Sequence, residues 1–187
     1  MNKSTLSRKP RLQLVDPDAV AESALLVRLL AKSHASLKGY LGLRSALTHG
    51  QLGFRLRDLI GIFVAEANGC VYMLSSHIAA ARRAGISEEA ISDARFGRAA
   101  DSRTDAVLRF VNALVLGHGN VNDTELAKLR AGGVDDGEIV EIVTNVGLHL
   151  LTSYAALCAA LPPDDEPVFP HIYSGQHDSY GVQHVSR

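Results

Sequence analysis

Apolar residues recur at three- and four-residue spacing along most of the chain, and little of it alternates in the two-residue rhythm of a strand. The pattern predicts an all-α protein. Asp16-Pro17-Asp18 offers a capping residue followed by proline, and a helix is expected over residues 19–31. Ser36 is placed to cap a second helix over 37–47, which stops at His49-Gly50. A third begins near Phe54 and carries Leu59, Ile60, Phe63 and Val64. Asn68-Gly69 then breaks an otherwise continuous apolar run, since both residues tolerate left-handed backbone angles. That break reads as the turn of a helical hairpin, with a new helix over 70–84 closed by Gly85. Ser87-Glu88-Glu89 opens a short helix, two more are expected over 105–116 and 123–130, and Asp135 starts the longest, which ends before Pro162-Pro163.

This punctuation divides the chain into an N-terminal extension (1–15), one helical domain (16–161) and a tail (162–187) rich in Pro, Asp, Gly, His and Ser. The tail is expected to run extended over the surface or over a neighbouring subunit. Residues 83–91 resemble residues 130–139, each joining two helices through a glycine stop and an acidic start. Shared helix punctuation accounts for that likeness better than duplication does.

Composition narrows the function classes. In 187 residues, 19 Lys and Arg stand against 20 Asp and Glu, so no basic excess supplies the phosphate contacts that nucleic-acid binding needs. Runs free of charge and strong polarity, such as 59–65, fall far short of a membrane span. The N-terminus has no apolar stretch of the length a signal-peptide core requires. Two cysteines, Cys70 and Cys158, make neither a disulfide framework nor a zinc ribbon. These features imply a reducing cytoplasm, with neither nucleic acid nor membrane as partner.

Candidate chemistry gathers around the break. Positions 70, 73 and 77 share one helix face, bringing Cys70, Met73 and His77 together. A cysteine in the first turn meets unsatisfied backbone N–H groups that favour thiolate, while His77 is suited to proton exchange near neutrality. Seven residues at ~1.5 Å rise separate Cys70 and His77 by roughly 10 Å along the axis, beyond a direct hydrogen bond. Asp58 lies about 28 Å from His77 on a straight helix, so it approaches only if the chain doubles back or another subunit intervenes.

The spacing Asp58, eleven residues, Cys70, two residues, Met73, three residues, His77 resembles the motif of the carboxymuconolactone decarboxylase and alkylhydroperoxidase D families. There a glutamate, two cysteines and a histidine occupy the corresponding places. Leu56-Arg57-Asp58, Asn68-Gly69-Cys70, Ala84-Gly85, the Leu37 to Leu43 segment and Glu138-Ile-Val-Glu141-Ile-Val resemble the peroxidase-related branch. The likeness spans roughly 16–161 and implies an all-α fold whose central hairpin carries the site, in a chain that assembles as a homo-oligomer. It implies catalytic roles for Cys70, His77 and Asp58, and supporting roles for Glu66, Tyr72 and Met73, with no cofactor and no metal. Two departures stand out. Met73 replaces the cysteine to which the family assigns attack on peroxide, and a thioether forms neither thiolate nor disulfide. Asp58 is one methylene shorter than the family's glutamate.

Each residue also has a plainer reading. Cys70 is also readable as a small buried hydrophobe, Met73 as core filler, Asp58 as a surface partner of Arg55 or Arg57, Glu66 as a solvated acid and Tyr72 as packing. His118, His149, His171, His177 and His184 show no metal-ligand spacing. Three functions follow. The first is a thiol-dependent hydroperoxide reductase attenuated to Cys70 and restored by an external thiol, with Cys158 as a resolving group only if folding brings it close. The second is cofactor-free acid–base chemistry by His77 and Asp58 on a lactone or carboxylate. The third is a catalytically silent helical oligomer that binds a small ligand.

Overall fold

A computed structural model describes residues 9–17 and 24–171. Its ordered elements are all helical: α1 (Leu25–Leu30), α2 (His34–Thr48), α3 (Phe54–Ala67), α4 (Val71–Arg83), α5 (Glu88–Arg95), α6 (Ser102–Leu116), α7 (Asp123–Ala131) and α8 (Asp136–Ala159). The expected all-α class holds. Part of the first expected helix, and the histidines His177 and His184, lie outside the described residues.

α3 is the axis of the core, and its sequence says why. From Leu59 to Glu66 every residue is buried, so no face is left for water. A helix apolar all round must be surrounded. α4, α5, α6 and α8 pack around it.

The hairpin turn forms as the Asn68-Gly69 break predicts. Gly69 takes a φ of 65°, and the Cys70 N–H donates back to the Ala65 carbonyl (2.9 Å) while the Gly69 N–H reaches Glu66 (3.0 Å). This paired closure of the last turn reverses the chain and lays α4 against α3. Cys70 itself becomes the N-cap of α4, in extended geometry.

Two caps differ from expectation. Ser33, not Ser36, caps α2, and its Oγ accepts from the Ser36 N–H. Asp101 caps α6 by accepting from Thr104, so the helix starts three residues earlier than expected. Asp105 instead accepts from the Ala99 N–H and pairs with Arg109 one turn on. In both cases a cap-type residue already inside the helix competes in sequence with the true cap, and only the extended backbone before the first turn separates them.

α8 is the one helix among the described residues long and apolar enough to cross a membrane. Here it is a core helix, and its buried face carries Asn145, His149, Thr152 and Ser153 among the aliphatic side chains. Near its start, Glu141 accepts from the Gln51 and Leu52 N–H groups (2.7 and 3.0 Å). Gly50 gives that carboxylate room, for a Cβ there would stand 2.2 Å from Oε1. The clamp fixes α8 against the loop that leads into α3.

Among the described residues after α8, 161–171 form neither helix nor strand and are tied down along the way. The Val168 N–H donates to Ser75 Oγ (2.9 Å), and the Phe169 carbonyl accepts from Arg95 (2.7 Å). The Asp164 carboxylate accepts from the Tyr72 hydroxyl (2.6 Å) and the Leu25 N–H (3.2 Å).

Candidate active site

Between α1, α2, α3, α4 and α8 lies a cleft of about 450 Å³. The turn at Gly69 brings Asp58 of α3 and His77 of α4 to its walls, joined there by Met73 and Tyr72. Four of the six residues singled out from the sequence are therefore gathered in one place. Cys70 and Glu66 are not among the lining.

Cys70 is 1% exposed, and its sulfur lies 3.8 Å from the Ser153 carbonyl of α8. Burial pushes the thiol up, outweighing the backbone groups of Met73 and Tyr72 and the contact with Ser153, which act in the opposite direction. The helix terminus thus favours thiolate, as the sequence suggests, but desolvation wins because water does not reach the sulfur. Cys158 is exposed on α8 and forms no disulfide with the buried Cys70.

Glu66 is fully buried rather than a solvated acid. It binds Arg95 of α5 (2.7 Å), and its other oxygen accepts the His171 N–H. Its carboxylate holds α5 and the C-terminal segment to α3. Tyr72 also has a structural part. Its hydroxyl donates to Asp164 and accepts from the Leu26 N–H (3.0 Å), and burial together with the neighbouring carboxylate raises its pKa.

His77 is held in a low-dielectric seat. A Cβ on Gly61 would lie 2.7 to 2.9 Å from three of its ring atoms, so only glycine on α3 lets the imidazole settle there. Its Nε2 is sealed from solvent and has no hydrogen-bond partner. Burial pushes the ring's pKa down to about 4. Asp58 shares the cleft but makes no hydrogen bond to the sealed Nε2 of the ring. Its own carboxyl is raised by burial, with Arg57 pulling the other way.

Further residues complete the cleft. His149 of α8 meets His77 edge to face, with ring centroids 4.8 Å apart. Arg44, Arg57 and Arg83 also line the walls. Arg57 donates to the Leu47 carbonyl, and Arg83 lies 3.6 Å from Asp165. A glycine inside an otherwise bulky apolar run was the signal for Gly61. A histidine on the apolar α8 pattern was the signal for His149, though spacing to His77 gave no hint of contact across 72 residues. Among the described residues no group of three or more His, Cys, Asp or Glu is arranged to hold a metal ion.

An all-helical frame with a central hairpin, opening on a cleft that presents histidine and carboxylate from its two arms, defines the class. The chain is similar in fold, and over its hairpin in sequence, to the carboxymuconolactone decarboxylase and alkylhydroperoxidase D-like family. Residues 35–116 match the model of the Carboxymuconolactone decarboxylase family, a stretch that holds the whole hairpin. Among solved structures, it is similar to the alkylhydroperoxidase AhpD core of an uncharacterized peroxidase-related protein from Ralstonia eutropha JMP134. That match has a TM-score of 0.72 at 19% identity and covers 84% of this chain and 94% of that one. An uncharacterized peroxidase-related protein from Silicibacter sp. TM1040 gives 0.68 at 18% identity, covering 89% and 93%. A protein of unknown function from Agrobacterium tumefaciens gives 0.66 at 24%, covering 73% and 95%. These likenesses concern the fold. No curated protein matches the chain.

Proposed function

We propose that the cleft performs cofactor-free acid–base chemistry on a small carboxylate-bearing carbonyl compound, such as a lactone, with His77 as the group that takes the proton. The observation that carries this reading is the division of the motif: His77 and Asp58 line the cleft, whereas the Cys70 sulfur is sealed outside it. A buried neutral imidazole is a weak base on its own. An anionic substrate or enolate beside it supplies a counter-charge, and so raises its proton affinity when the cleft is filled. Arg44, Arg57 and Arg83 provide the positive field that recruits such an anion. Asp58, whose carboxyl is raised by burial, is suited to return the proton.

Deuterium uptake from D2O at the carbon next to the carbonyl, followed by proton NMR over a panel of carboxylated lactones and keto acids, tests this. His77→Gln is expected to abolish uptake, and uptake undiminished in that variant would end the proposal. The competing reading, thiol-dependent reduction of a hydroperoxide with an external thiol as reductant, requires a reactive Cys70. Alkylation of a Cys158→Ala protein should show a midpoint above the ~8.5 of a free thiol. A lower midpoint would favour the thiol reading. We place this activity in a cytoplasmic homo-oligomer. Val140, Val143, Leu151, Tyr154 and Leu157 form an exposed apolar flank of α8 that supports self-association.

A further inference from the structure

One ring in the cleft has no part in the motif. His149 stands on α8, with its plane at 83° to that of His77. Its Nε2, like that of His77, is sealed and has no hydrogen-bond partner. The Arg57 backbone acts to favour the protonated ring, against the stronger effect of burial, while Nε2 has no hydrogen-bond partner. Two unsatisfied ring nitrogens side by side are a costly way to fill space that phenylalanine or leucine would fill without penalty. The cost points to a use.

We infer that His149 is the positioning partner of His77, and that the two rings act as one acid–base unit holding a single proton. The inference rests on the acid–base reading above, and it gives His149 the place that the family motif would give to a carboxylate.

The surroundings explain why the unit holds only one. α3 presents Asp58 and Arg57 to the cleft, α4 presents Tyr72 and Arg83, and α2 presents Tyr40 and Arg44. α8 adds the neutral Asn145 and Thr152, and α1 adds Leu26 and Val27. One carboxyl therefore faces three guanidinium groups, and nothing offsets a second imidazolium. Two unit charges at this separation weaken the second protonation by roughly 300-fold at an effective dielectric constant of ~20. Partnered with an imidazole, His77 stays neutral until a substrate arrives, whereas a carboxylate partner would hold it as imidazolium. In turnover the substrate C–H bond breaks, its electron pair stays on the substrate as enolate, and the proton forms an N–H bond on His77. His149 remains neutral and keeps the ring in its seat.

Nitrogen-15 NMR of the histidine rings in the full chain tests the unit without any substrate. Between pH 7.5 and 3.5 the two rings together should take up one proton. His77→Gln should then strengthen proton binding at His149 by at least about tenfold, because the competing charge is gone. Independent titration of the two rings, or a His149 midpoint unmoved by His77→Gln, would overturn the inference. His149→Phe keeps the aromatic contact but removes the nitrogens. It should move the acid limb of the deuterium-uptake profile, and a profile identical to the parent would mean that His149 only fills space, against the inference. Coupled titration with no uptake from any panel member would support the two-ring unit and sink the acid–base reading alone.

Discussion

Replacing Gly61 with alanine isolates the seat of His77 from the rest of the fold. The added Cβ would stand 2.7 Å from Cε1, 2.8 Å from Nε2 and 2.9 Å from Nδ1, where ordinary contacts begin at 3.4 Å. The ring must therefore retreat by more than half an ångström, and the open side is the cleft. Two opposing energies then nearly cancel. Alanine in a helix interior is favoured over glycine by about 1 kcal/mol. Overpacking against a side chain that has room to move costs about 1 kcal/mol, the lower end of its range. Urea denaturation should thus find a change within roughly 1 kcal/mol. The titration of His77 should change far more, because displacement into the cleft returns water to the ring and moves its pKa from about 4 back toward 6.5. Histidine NMR in the variant measures this directly. An unchanged His77 midpoint, combined with a full helix-propensity gain in stability, would show that Gly61 does not hold the ring and would refute the reasoning.

Acid should destabilise the protein before its carboxylates titrate. The unfolded chain protonates His77 near 6.5 and the folded chain only near 4, so the unfolded state binds more protons between them and stability falls as pH drops through that window. The full loss is about 3 kcal/mol from His77, and His149 adds in the same direction. A stability that stays flat from pH 7 to 4 would contradict this. Glu66→Ala leaves the largely buried Arg95 with the Phe169 carbonyl but no counter-charge and should cost about 3 kcal/mol in urea unfolding. A loss below about 1 kcal/mol would mean that water already compensates the pair. Light scattering at micromolar concentration should report an assembly larger than one chain, and a monomer would remove the role given to the exposed flank of α8.

How far the sequence could be read depended on whether a feature was local. The Asn68-Gly69 turn was legible because a glycine at positive φ and the apolar runs on either side lie within one stretch of chain. The burial of α3 was legible from its unbroken apolar run. Asp58 and His77 were expected to approach only if the chain doubled back or another subunit intervened, and the turn brings both to the walls of one cleft. Cys70 shows the boundary. Its place beside a helix start was readable, but the closure of α8 over its sulfur was not, and that closure decides the thiol's charge. Glu66 likewise looked like a solvated acid because Arg95 and the His171 backbone come from elements 29 and 105 residues away. His149 was missed for the same reason. Contact across α4 and α8 leaves no periodic trace.

The Asp164 contacts give the cleft a dependence that its lining conceals. Among the described residues none beyond Thr152 lines the cavity, yet Asp164 holds the Leu25 N–H and the Tyr72 hydroxyl at once, and Tyr72 in turn holds Leu26. The first turn of α1, which roofs the cleft, is thereby suspended from the far end of the chain. A change after α8 therefore acts on access, on the lifetime of the closed roof rather than on the groups beneath it. Ligand exchange rates should register a lesion at Asp164 that leaves the histidines, the arginines and the hairpin in place.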